Sequence, residues 1–543
     1  MLNGADIPEE IICARLMCLN KCPDQNGKLE NIRPIAITGT LIKILEKVTL
    51  NRMQLFEKMH NIHNHKSQIG FLKGMGCDVN IMRLRQRTQD ALDSRDIKDL
   101  KKEKYILFID FKAAYDSVNH KRLFDKLSKK GYPINIVNTI KKIYSSACMR
   151  LNMMHDPINV NRGVLQGGIL SPFLFNCYID DLIISLNNKC FEVLAYADDI
   201  ALICTNEEQL QQAMNILDEW SKDNFFEINK KKSGILIIDQ ERGGRKEING
   251  YPIKQNYKYL GIILNSTLNP IGSLKLTDKR LDKYISRNRW LIKKYFTPKS
   301  LVTISLYYQY SRIGYGMNCF LDMPDVNKEI EKYSMKYTKS ILGLSNHVSS
   351  DKVRLTLNRP EESKSLWVLL RKNINKYIEH YGEKPILYNK INWKNEKWLK
   401  DGKFFENHID LNNMEHFLVK KTIAEASKIE MARRNNIIFG KYYNHYFKKR
   451  YYRYPNYKDF RLIRYLCNSG FYKEKLFPKC KLCDSDNSRK HVTNECETFN
   501  KLREETIKKL SKKLEIKDKN IDLEQLILRL YYDPRETDHK RYT

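Results

Sequence analysis

Three short apolar runs that each adjoin an aspartate constrain the fold of this chain most. The pattern predicts one strand over Tyr105–Asp110 and two more over Phe191–Tyr196 and Ile200–Cys204, joined by a tight turn that holds Asp198 and Asp199. Carboxylates at strand ends and turns converge when the strands are neighbours in one sheet. Such a cluster repels itself unless divalent cations neutralise it, and Mg²⁺ is the hard ion that oxygen ligands suit. An Asp-Asp pair in a turn is by itself ordinary turn chemistry, so the assignment depends on the surrounding sequence.

The length of 543 residues predicts two or three structural units. Residues 1–265 alternate short apolar strands with helical stretches, which indicates an α+β or α/β fold. Within them, Ile35–Met53 is predicted as an amphipathic helix with Leu41, Ile44, Leu45 and Val48 on its apolar side and Lys43, Glu46 and Lys47 near the other. Helical spacing dominates from about residue 270 to 460. The predicted segments are 1–265, 266–385, 386–466 and 467–543.

The charge of the chain favours a polyanionic partner. Lys and Arg number 96 against 64 Asp and Glu, so the net charge is +32. An excess of this size gains binding energy by releasing counterions from phosphates, which points to nucleic acid. The alternative is a solvated, lysine-rich surface in a chain whose composition is biased towards Asn, Ile, Lys and Tyr. No apolar run is long enough to span a bilayer and no secretory leader is visible, so the predicted setting is intracellular, with no membrane partner.

Seven motifs in a consistent order resemble those of one enzyme family. Five segments resemble, in order, the palm motifs of reverse transcriptases: YILFIDFKAAYDSVNHKRL, RGVLQGGILSPFLFNCYIDDL, VLAYADDIALI, FFEINKKKSGILI and YKYLGIIL. Two further segments resemble the finger motifs of the non-LTR (LINE-type) retrotransposon branch: NIRPIAITGTLIKILEKVTLNRM and QIGFLKGMGCDVNIMRLRQ. The resemblance covers roughly residues 15–265. It implies a right-hand polymerase fold with fingers and palm over 1–265, an antiparallel palm sheet and a helical thumb over 266–385.

The resemblance also implies roles for individual residues. Asp110, Asp198 and Asp199 would bind two Mg²⁺ ions, with the carbonyl of Phe111 as a further ligand. Tyr115 would lie under the incoming sugar and exclude a 2′-hydroxyl, although a tyrosine at this position is also compatible with the core.

Further residues are assigned to the nucleotide and the nucleic acid. Gln166 and Gly167 match the element that shapes the nucleotide pocket and touches the template. Lys232 aligns with the lysine that protonates the leaving pyrophosphate, although a lysine run is also typical of a solvated surface. Arg33 and Lys43 are finger cations that would meet the triphosphate or the template. The hairpin at 259–261, Tyr-Leu-Gly, resembles a primer grip.

Two segments beyond the palm carry their own signals. The segment KYYNHYFKKRYYRYP at 441–455 mixes aromatic rings with cations, which suits single-strand binding, and its helical spacing suits a buried core equally. Segment 386–466, which contains it, is predicted as a basic, aromatic-rich helical linker. The spacing C-x2-C-x7-H-x4-C of Cys480, Cys483, His491 and Cys496 predicts a structural Zn²⁺ site, since three thiolates and an imidazole complete a tetrahedron. It resembles the zinc knuckle of non-LTR elements, so 467–543 is predicted as a knuckle with C-terminal helices.

Three functions remain open from the sequence. The first is an active RNA-directed DNA polymerase that extends a DNA primer or target end on an RNA template with dNTPs, by target-primed reverse transcription in the nucleus. The second is a catalytically decayed or repurposed, maturase-like protein that binds RNA. The third is a nucleic-acid-binding zinc protein whose palm is a scaffold. Three clustered carboxylates favour the first, because a pure binder has no physical need for them.

Overall fold

The computed structural model describes most of the first half of the chain and parts of the second. The described residues are 9–20, 32–93, 104–151, 156–238, 245–295, 307, 311–342, 344, 346–356, 361–390, 483 and 496–513. The chain divides into two compact units. The first unit comprises Met1–Pro270 with Asn373–Ile386, and the second comprises Ile271–Lys372 with Leu387–Thr543. The bounds of the four predicted segments remain predictions, and segment 441–455 lies outside the described residues.

The first unit mixes helices and strands. Its helices are α1 (Glu9–Ile12), α2 (Thr40–His60), α3 (Cys77–Asp93), α4 (His120–Lys129), α5 (Ile134–Ser145), α6 (Ser171–Asn187) and α7 (Glu207–Asn224). Its strands are β1 (Ala14–Asn20), β2 (Ile32–Ile37), β3 (Lys104–Ile109), β4 (Cys148–Arg150), β5 (Ile158–Asn159), β6 (Glu192–Tyr196), β7 (Asp199–Cys204), β8 (Gly234–Ile238), β9 (Glu247–Ile248), β10 (Tyr251–Pro252), β11 (Asn256–Tyr259) and β12 (Ile262–Asn265).

The central sheet of the first unit has the strand order β6-β7-β3-β8, and every neighbouring pair is antiparallel. All six residues of β3 are buried, as expected for a strand covered on both faces. The register pairs Ile109 with Ile200 across β3 and β7, and Tyr196 with Asp199 across β6 and β7. The predicted strands at Tyr105–Asp110, Phe191–Tyr196 and Ile200–Cys204 therefore correspond to β3, β6 and β7, each within one residue at either end.

Helices α4, α6 and α7 pack with this sheet around one apolar core. Helix α6 is buried around most of its circumference. Apolar residues accordingly occur on nearly all of its sides, as the sequence SPFLFNCYIDDLIISLN shows. The packing of these helices therefore holds in place the end of β3 and the start of β7, where the predicted aspartates lie.

A second sheet of the first unit has the order β2-β1-β4-β5, with β1 antiparallel to β2 and parallel to β4. Two short hairpins follow β8, formed by β9 with β10 and by β11 with β12. The β11–β12 turn holds Leu260 at φ 44° and Gly261 at φ 84°. Two consecutive positive φ angles are the geometry of a tight two-residue hairpin.

The amphipathic helix expected over Ile35–Met53 is wrong in its start and in its faces. Ile35 lies in β2, and the helix begins at Thr40 and runs to His60. Leu41 and Ile44 are 58% and 55% exposed, whereas Glu46 is fully buried. The buried side of α2 is formed by Ile42, Leu45, Glu46, Thr49, Leu50 and Met53.

The second unit is described only as helices. They are α8 (Ile271–Tyr295), α9 (Pro324–Leu342), α10 (Ser350–Thr356), α11 (Glu362–Tyr381, whose last residues from Asn373 belong to the first unit), α12 (Ile386–Lys390) and α13 (Asn500–Lys513). Helices α8 and α9 pack together, and Lys336 of α9 binds Asp278 and Asp282 of α8 at 2.9 and 2.6 Å. Among the residues described, no helix combines the length and the apolar character needed to cross a membrane.

Candidate active site

The first predicted acid, Asp110, directly follows β3 at the edge of the central sheet. Continuing the register beyond Ile109 and Ile200 sets Asp110 opposite Asp199. The backbone of Asp110 is held on both sides, because its N–H donates to Oγ of Ser233 at 3.0 Å and its carbonyl accepts from the N–H of Asn229 at 2.8 Å. Residues 229–233 therefore fix where the chain leaves β3.

Asp198 and Asp199 lie in and after the turn between β6 and β7. Tyr196 pairs with Asp199, so Ala197 and Asp198 are the two central residues of the turn. Ala197 has φ 56°, a left-handed conformation that costs energy for a residue with a Cβ. The turn thus presents its two carboxylates from a strained backbone.

The pKa values of Asp198 and Asp199 are both raised. Desolvation by burial is the main cause that raises the pKa of Asp198, with the charge of Asp110 adding to it and that of Arg33 opposing it. Desolvation and the charges of Asp198 and Asp110 raise the pKa of Asp199 to about 6, against the opposing charge of Lys258. Each carboxylate therefore lies within electrostatic reach of the other two, and Arg33 within reach of Asp198.

This proximity does not by itself make a metal-binding cluster. In the described part of the chain, no three His, Cys, Asp or Glu side chains are grouped tightly enough to hold a metal ion. The donor set consists of oxygen atoms, which suit Mg²⁺. Like charges within electrostatic reach of one another are also the groups that a cation would draw together.

Tyr115 stacks on Phe175 of α6, with ring centroids 4.6 Å apart and planes within 7°. It begins a short 3₁₀ turn, Tyr115–Ser117, five residues after Asp110. Its ring is half-buried and its hydroxyl oxygen is buried with no hydrogen-bond partner. Burial and the charge of Asp198 raise the pKa of this hydroxyl well above its ordinary value. The ring is therefore fixed by Phe175, within electrostatic reach of the carboxylate turn.

Gln166 and Gly167 are placed against β2. The carbonyl of Gln166 accepts from the N–H of Ala36 at 2.7 Å, and its Nε2 donates to Asp116 at 2.9 Å. Gly167 has φ 123°, and a Cβ there would lie 2.4 Å from the carbonyl oxygen of Ala36. Only glycine meets both requirements, so the backbone of this loop is held directly against the strand.

A buried glutamate that the sequence pattern assigned to the polar side supports the same loop. Oε2 of Glu46 accepts from the N–H of Ile169 at 2.9 Å, while its Oε1 is buried without a hydrogen-bond partner. Burial raises the pKa of Glu46, and the nearby charge of Lys43 lowers it. Lys43 is thus placed beside Glu46, and the predicted roles of Lys43 and Arg33 toward a triphosphate or template remain predictions.

Two lysines that the motifs did not single out interact electrostatically with the acids. Burial lowers the pKa of Lys254, and the charge of Asp110 opposes this effect. The Nζ of Lys254 donates to the carbonyl of Lys232 at 2.6 Å. The charge of Lys258 opposes the rise in the pKa of Asp199. Lys232 itself is exposed, in the turn before β8. The motifs assign no role to Lys254 or Lys258, because the proximity of these two lysines to the acids depends on the chain after β8 folding back.

The β11–β12 hairpin, which includes the predicted primer-grip residues, packs on the central sheet through aromatic rings. Tyr257 stacks on Phe108 of β3, with centroids 4.3 Å apart and planes within 5°. Tyr259 is buried and its ring lies 5.2 Å from that of Phe108. Burial raises the pKa of Tyr257 and the charges of Asp110 and Asp199 add to this effect, so the hairpin adjoins the acids.

The Cys/His module is described only at two of its four members. Sγ of Cys483 lies 3.8 Å from Sγ of Cys496. Cys480 and His491 lie outside the described residues. The separation is too long for a disulfide, whose S–S bond is about 2.0 Å.

A basic cavity of about 380 Å³ lies within the second unit. It is lined by Thr277, Arg280, Leu281, Lys283, Tyr284, Arg287 and Arg312. The lining positions of α8 recur at intervals of three and four, so they share one side of the helix. The acids of α8, Asp278 and Asp282, are bound by Lys336. The cavity side of α8 is therefore cationic, which suits a phosphate backbone.

Comparisons with known proteins identify relatives of the part that carries this site. Residues 22–264, just under half of the chain, match the family described as reverse transcriptase (RNA-dependent DNA polymerase). A retrovirus-related Pol polyprotein from type-1 retrotransposable element R2 of Nasonia vitripennis is 27% identical over 271 residues, covering 45% of this chain and 25% of the relative. A probable RNA-directed DNA polymerase from transposon BS of Drosophila melanogaster is 26% identical over 318 residues, covering 55% and 34%.

The chain spans about a quarter to a third of the length of these curated relatives. Among solved structures, apo telomerase from Candida tropicalis is similar at 12% identity with a TM-score of 0.39, covering 68% of this chain and 63% of that chain.

Proposed function

Residues 22–264 belong to the reverse transcriptase family, and from that premise we propose that this chain is an RNA-directed DNA polymerase of a non-LTR retrotransposon. It would extend a DNA 3′ end on an RNA template, using dNTPs, at a target site that supplies the primer. The observation that carries the proposal is that Asp110, Asp198 and Asp199 lie together where β3 ends and β7 begins, with Asp110 raising the pKa of both other acids. We further propose a right-hand arrangement with fingers and palm in the first unit and a helical thumb in the second.

The proposed cofactor is a pair of Mg²⁺ ions held by Asp110, Asp198 and Asp199, with the Phe111 carbonyl as a further ligand. The oxygen donors and their mutual repulsion support this choice. When bound, the ions activate the primer 3′-hydroxyl and stabilise the leaving pyrophosphate. The role of the chain is to hold the donors at the ends of β3 and β7, where the backbone of Asp110 is fixed by Ser233 and Asn229.

Other residues would orient the substrates. The ring of Tyr115 would support the sugar of the incoming nucleotide, and Gln166 and Gly167 would form the wall next to the template. Arg33 and Lys43 would meet phosphates, and Lys232 would deliver a proton to the pyrophosphate. Lys254, which lies near Asp110 and binds the Lys232 carbonyl, supports a fixed position for that turn. The cationic cavity of α8 would bind the nucleic-acid backbone.

The test of this function is primer extension by the full chain on a homopolymeric RNA template annealed to a DNA primer, with Mg²⁺ and the complementary dNTP. We expect template-dependent extension by the wild type, and EDTA should stop it. The Asp198→Ala variant, purified in parallel, should not extend the primer. Equal incorporation by the two proteins would assign the activity to a contaminant. A folded wild type that binds the hybrid without extending it would favour the RNA-binding, maturase-like alternative.

Tyr115→Ala is expected to relax sugar selection. Removing the ring opens the space beside Phe175 in which a 2′-hydroxyl would otherwise collide, so discrimination against ribonucleotides should fall about 10- to 200-fold. The measurement is kcat/KM for a dNTP and its ribonucleotide. Tyr115→Phe is the matched control, because its ring remains and the lost hydroxyl has no hydrogen-bond partner. Unchanged selectivity in the alanine variant would remove the assignment.

We also propose that Cys480, Cys483, His491 and Cys496 bind one structural Zn²⁺. The 3.8 Å between the sulfurs of Cys483 and Cys496 supports this, because two thiolates of a tetrahedral site with Zn–S of about 2.3 Å are about 3.8 Å apart. Cys483→Ser should reduce the zinc content from one ion per chain towards zero by atomic absorption. Cys18→Ser, at an exposed cysteine, should leave it at one. Equal zinc in both variants would refute the site.

A further inference from the structure

The turn that carries Asp198 and Asp199 is held from outside its own hairpin by one buried side chain. Oε1 of Gln68 accepts from the N–H of Ala197 at 2.8 Å, and Nε2 of Gln68 donates to the carbonyl of Ala197 at 3.2 Å. The same Oε1 also accepts from the N–H of Gly70 at 2.9 Å. Gln68 is 2% exposed, so water does not substitute for these bonds. Both backbone groups of the residue preceding Asp198 are therefore bound by one amide.

The backbone around Gln68 reinforces this placement. Strand β6 is an edge strand of the central sheet, and the segment Ser67–Ile69 lies parallel along it. The N–H of Ala195 donates to Ser67 at 3.0 Å, and the N–H of Ile69 donates to Ala195 at 3.1 Å. This short pairing ends two residues before Ala197, and the Gln68 side chain extends it to the turn. Ser67–Ile69 and the Gln68 side chain together cover the outer edge of β6 as far as the turn that carries the carboxylates.

Glycine at position 70 is required by the same contact. A Cβ on Gly70 would lie 2.4 Å from the backbone nitrogen of Ala197. Such a distance forces either the turn or the segment to move, because the atom that it meets is backbone. The chain after Gln68 is therefore packed directly against the turn.

The turn needs such support because Ala197 is strained. Its φ of 56° is left-handed, and an L residue with a Cβ disfavours that region on the order of tenfold. Ala197 is 4% exposed, so without Gln68 its N–H and carbonyl would be buried without these partners. Relaxation to a negative φ would rotate the following peptide and displace Asp198.

We propose that Gln68 is a positioning residue that imposes the left-handed conformation of Ala197 and thereby sets the carboxylates of Asp198 and Asp199. This inference deepens the proposed function and rests on it for its catalytic consequence, although the positioning itself is a property of the fold. Gln68 touches no reacting atom, and its effect passes through the Ala197 backbone.

The positioning is tested without metal or substrate by hydrogen exchange. In Gln68→Met, which fills a similar volume without the two hydrogen bonds, the amide of Ala197 should exchange at least tenfold faster, whereas the amides of β3 and β7 keep their protection. The matched control is Asn224→Leu, which removes another buried amide whose Nδ2 donates to Trp220 at 2.9 Å. It should leave the Ala197 amide protected. Unchanged exchange at Ala197 in Gln68→Met overturns the proposal, whether or not the chain is a polymerase.

The catalytic consequence is tested by the Mg²⁺ concentration that gives half-maximal primer extension. We expect it to rise about 10- to 100-fold in Gln68→Met, as for other residues that orient metal ligands. A merely structural loss would reduce the active fraction and leave this concentration unchanged, as expected for Asn224→Leu. If Ala197 loses protection and the Mg²⁺ dependence does not change, the assigned link to the carboxylates is wrong. If the wild type extends no primer, the proposed function fails and the exchange result still decides the positioning.

A compensating substitution keeps the proposal falsifiable should Gln68→Met fold poorly. Glycine adopts positive φ about as readily as negative φ, so Ala197→Gly should retain the turn conformation without help from Gln68. In the double variant Gln68→Met/Ala197→Gly, the half-maximal Mg²⁺ concentration should return at least partway to the wild-type value. A double variant as impaired as Gln68→Met would show that the left-handed conformation is not what Gln68 supplies.

Discussion

Replacing Asp199 with asparagine is expected to lower templated nucleotide incorporation by about three orders of magnitude or more while leaving the chain at least as stable as the wild type. The loss follows because an amide is a poor substitute for a carboxylate that neutralises a divalent cation. The stability follows because desolvation, together with the charges of Asp198 and Asp110, raises the pKa of Asp199, so the ionised side chain is disfavoured in the folded state. Activity and stability should therefore change in opposite directions at one position.

The stability difference has a defined pH dependence in metal-free buffer. The pKa of Asp199 is raised from 3.8 to about 6, so the folded chain binds the proton more tightly than the unfolded chain. Wild-type stability consequently falls as the pH rises from about 4 to about 6, and the loss is complete above that window. The asparagine side chain does not titrate, so the Tm advantage of Asp199→Asn should grow across the window and level off near neutrality. Solvent reaches Asp199, so the advantage is expected to be only a few degrees.

The matched control is Asp223→Asn, the same substitution at an exposed position of α7. Its extension rate and Tm should equal those of the wild type across the pH range. An Asp199→Asn protein that keeps more than a tenth of the wild-type rate would show that this carboxylate is not a metal ligand. A Tm that falls relative to wild type at pH 8 would show that Asp199 stabilises the turn instead of straining it.

The central sheet was predictable because its residues obey local rules. Strand β3 is a continuous apolar run, and β6 and β7 are apolar runs separated by a polar turn. Those patterns depend only on neighbouring residues, so both the strands and the position of the aspartates at their ends follow from the sequence. The neighbouring strands in the order β6-β7-β3-β8 are antiparallel.

Helix α2 was mispredicted because periodicity reports apolar positions and not burial. Leu41 and Ile44 satisfy the spacing of a buried face and are exposed, while Glu46 lies on the opposite, packed side. Glu46 is tolerated there because Ile169 donates a hydrogen bond to its carboxylate. A partner 123 residues away in the chain leaves no trace in a local pattern.

The support of the site was unpredictable for the same reason. Gln68 acts on Ala197 across 129 positions, and Lys254 approaches Asp110 only after two short hairpin strands have folded back. The finger motif that begins at Gln68 assigns this residue no role, and a single lysine in a polar stretch is compatible with an exposed position. The roles assigned to Lys232, Arg33 and Lys43 stay predictions, since each depends on a substrate and not on the fold.

Gly167→Ala is expected to be the most damaging substitution that adds a single methyl group to the loop of Gln166 and Gly167. A Cβ at this position would lie 2.4 Å from the carbonyl oxygen of Ala36, and the φ of 123° is strained for any residue but glycine. The loop must retreat from β2, which also breaks the 2.7 Å bond from the Ala36 N–H to Gln166. We expect a loss of about 2–4 kcal/mol in the free energy of unfolding.

The same displacement should lower kcat/KM for dNTP about 100-fold, because a shift of about 1 Å in a positioning element is enough for that loss. Gly76→Ala is the control, since a Cβ at Gly76 meets no atom within 4 Å. It should change neither quantity by more than about 0.5 kcal/mol or twofold. Denaturant unfolding and steady-state incorporation measure the two effects separately. If Gly167→Ala is destabilised and its kcat/KM per folded molecule is unchanged, the loop is a structural support of β2 and not a wall of the nucleotide pocket, because a pocket wall cannot move without altering how the nucleotide is held.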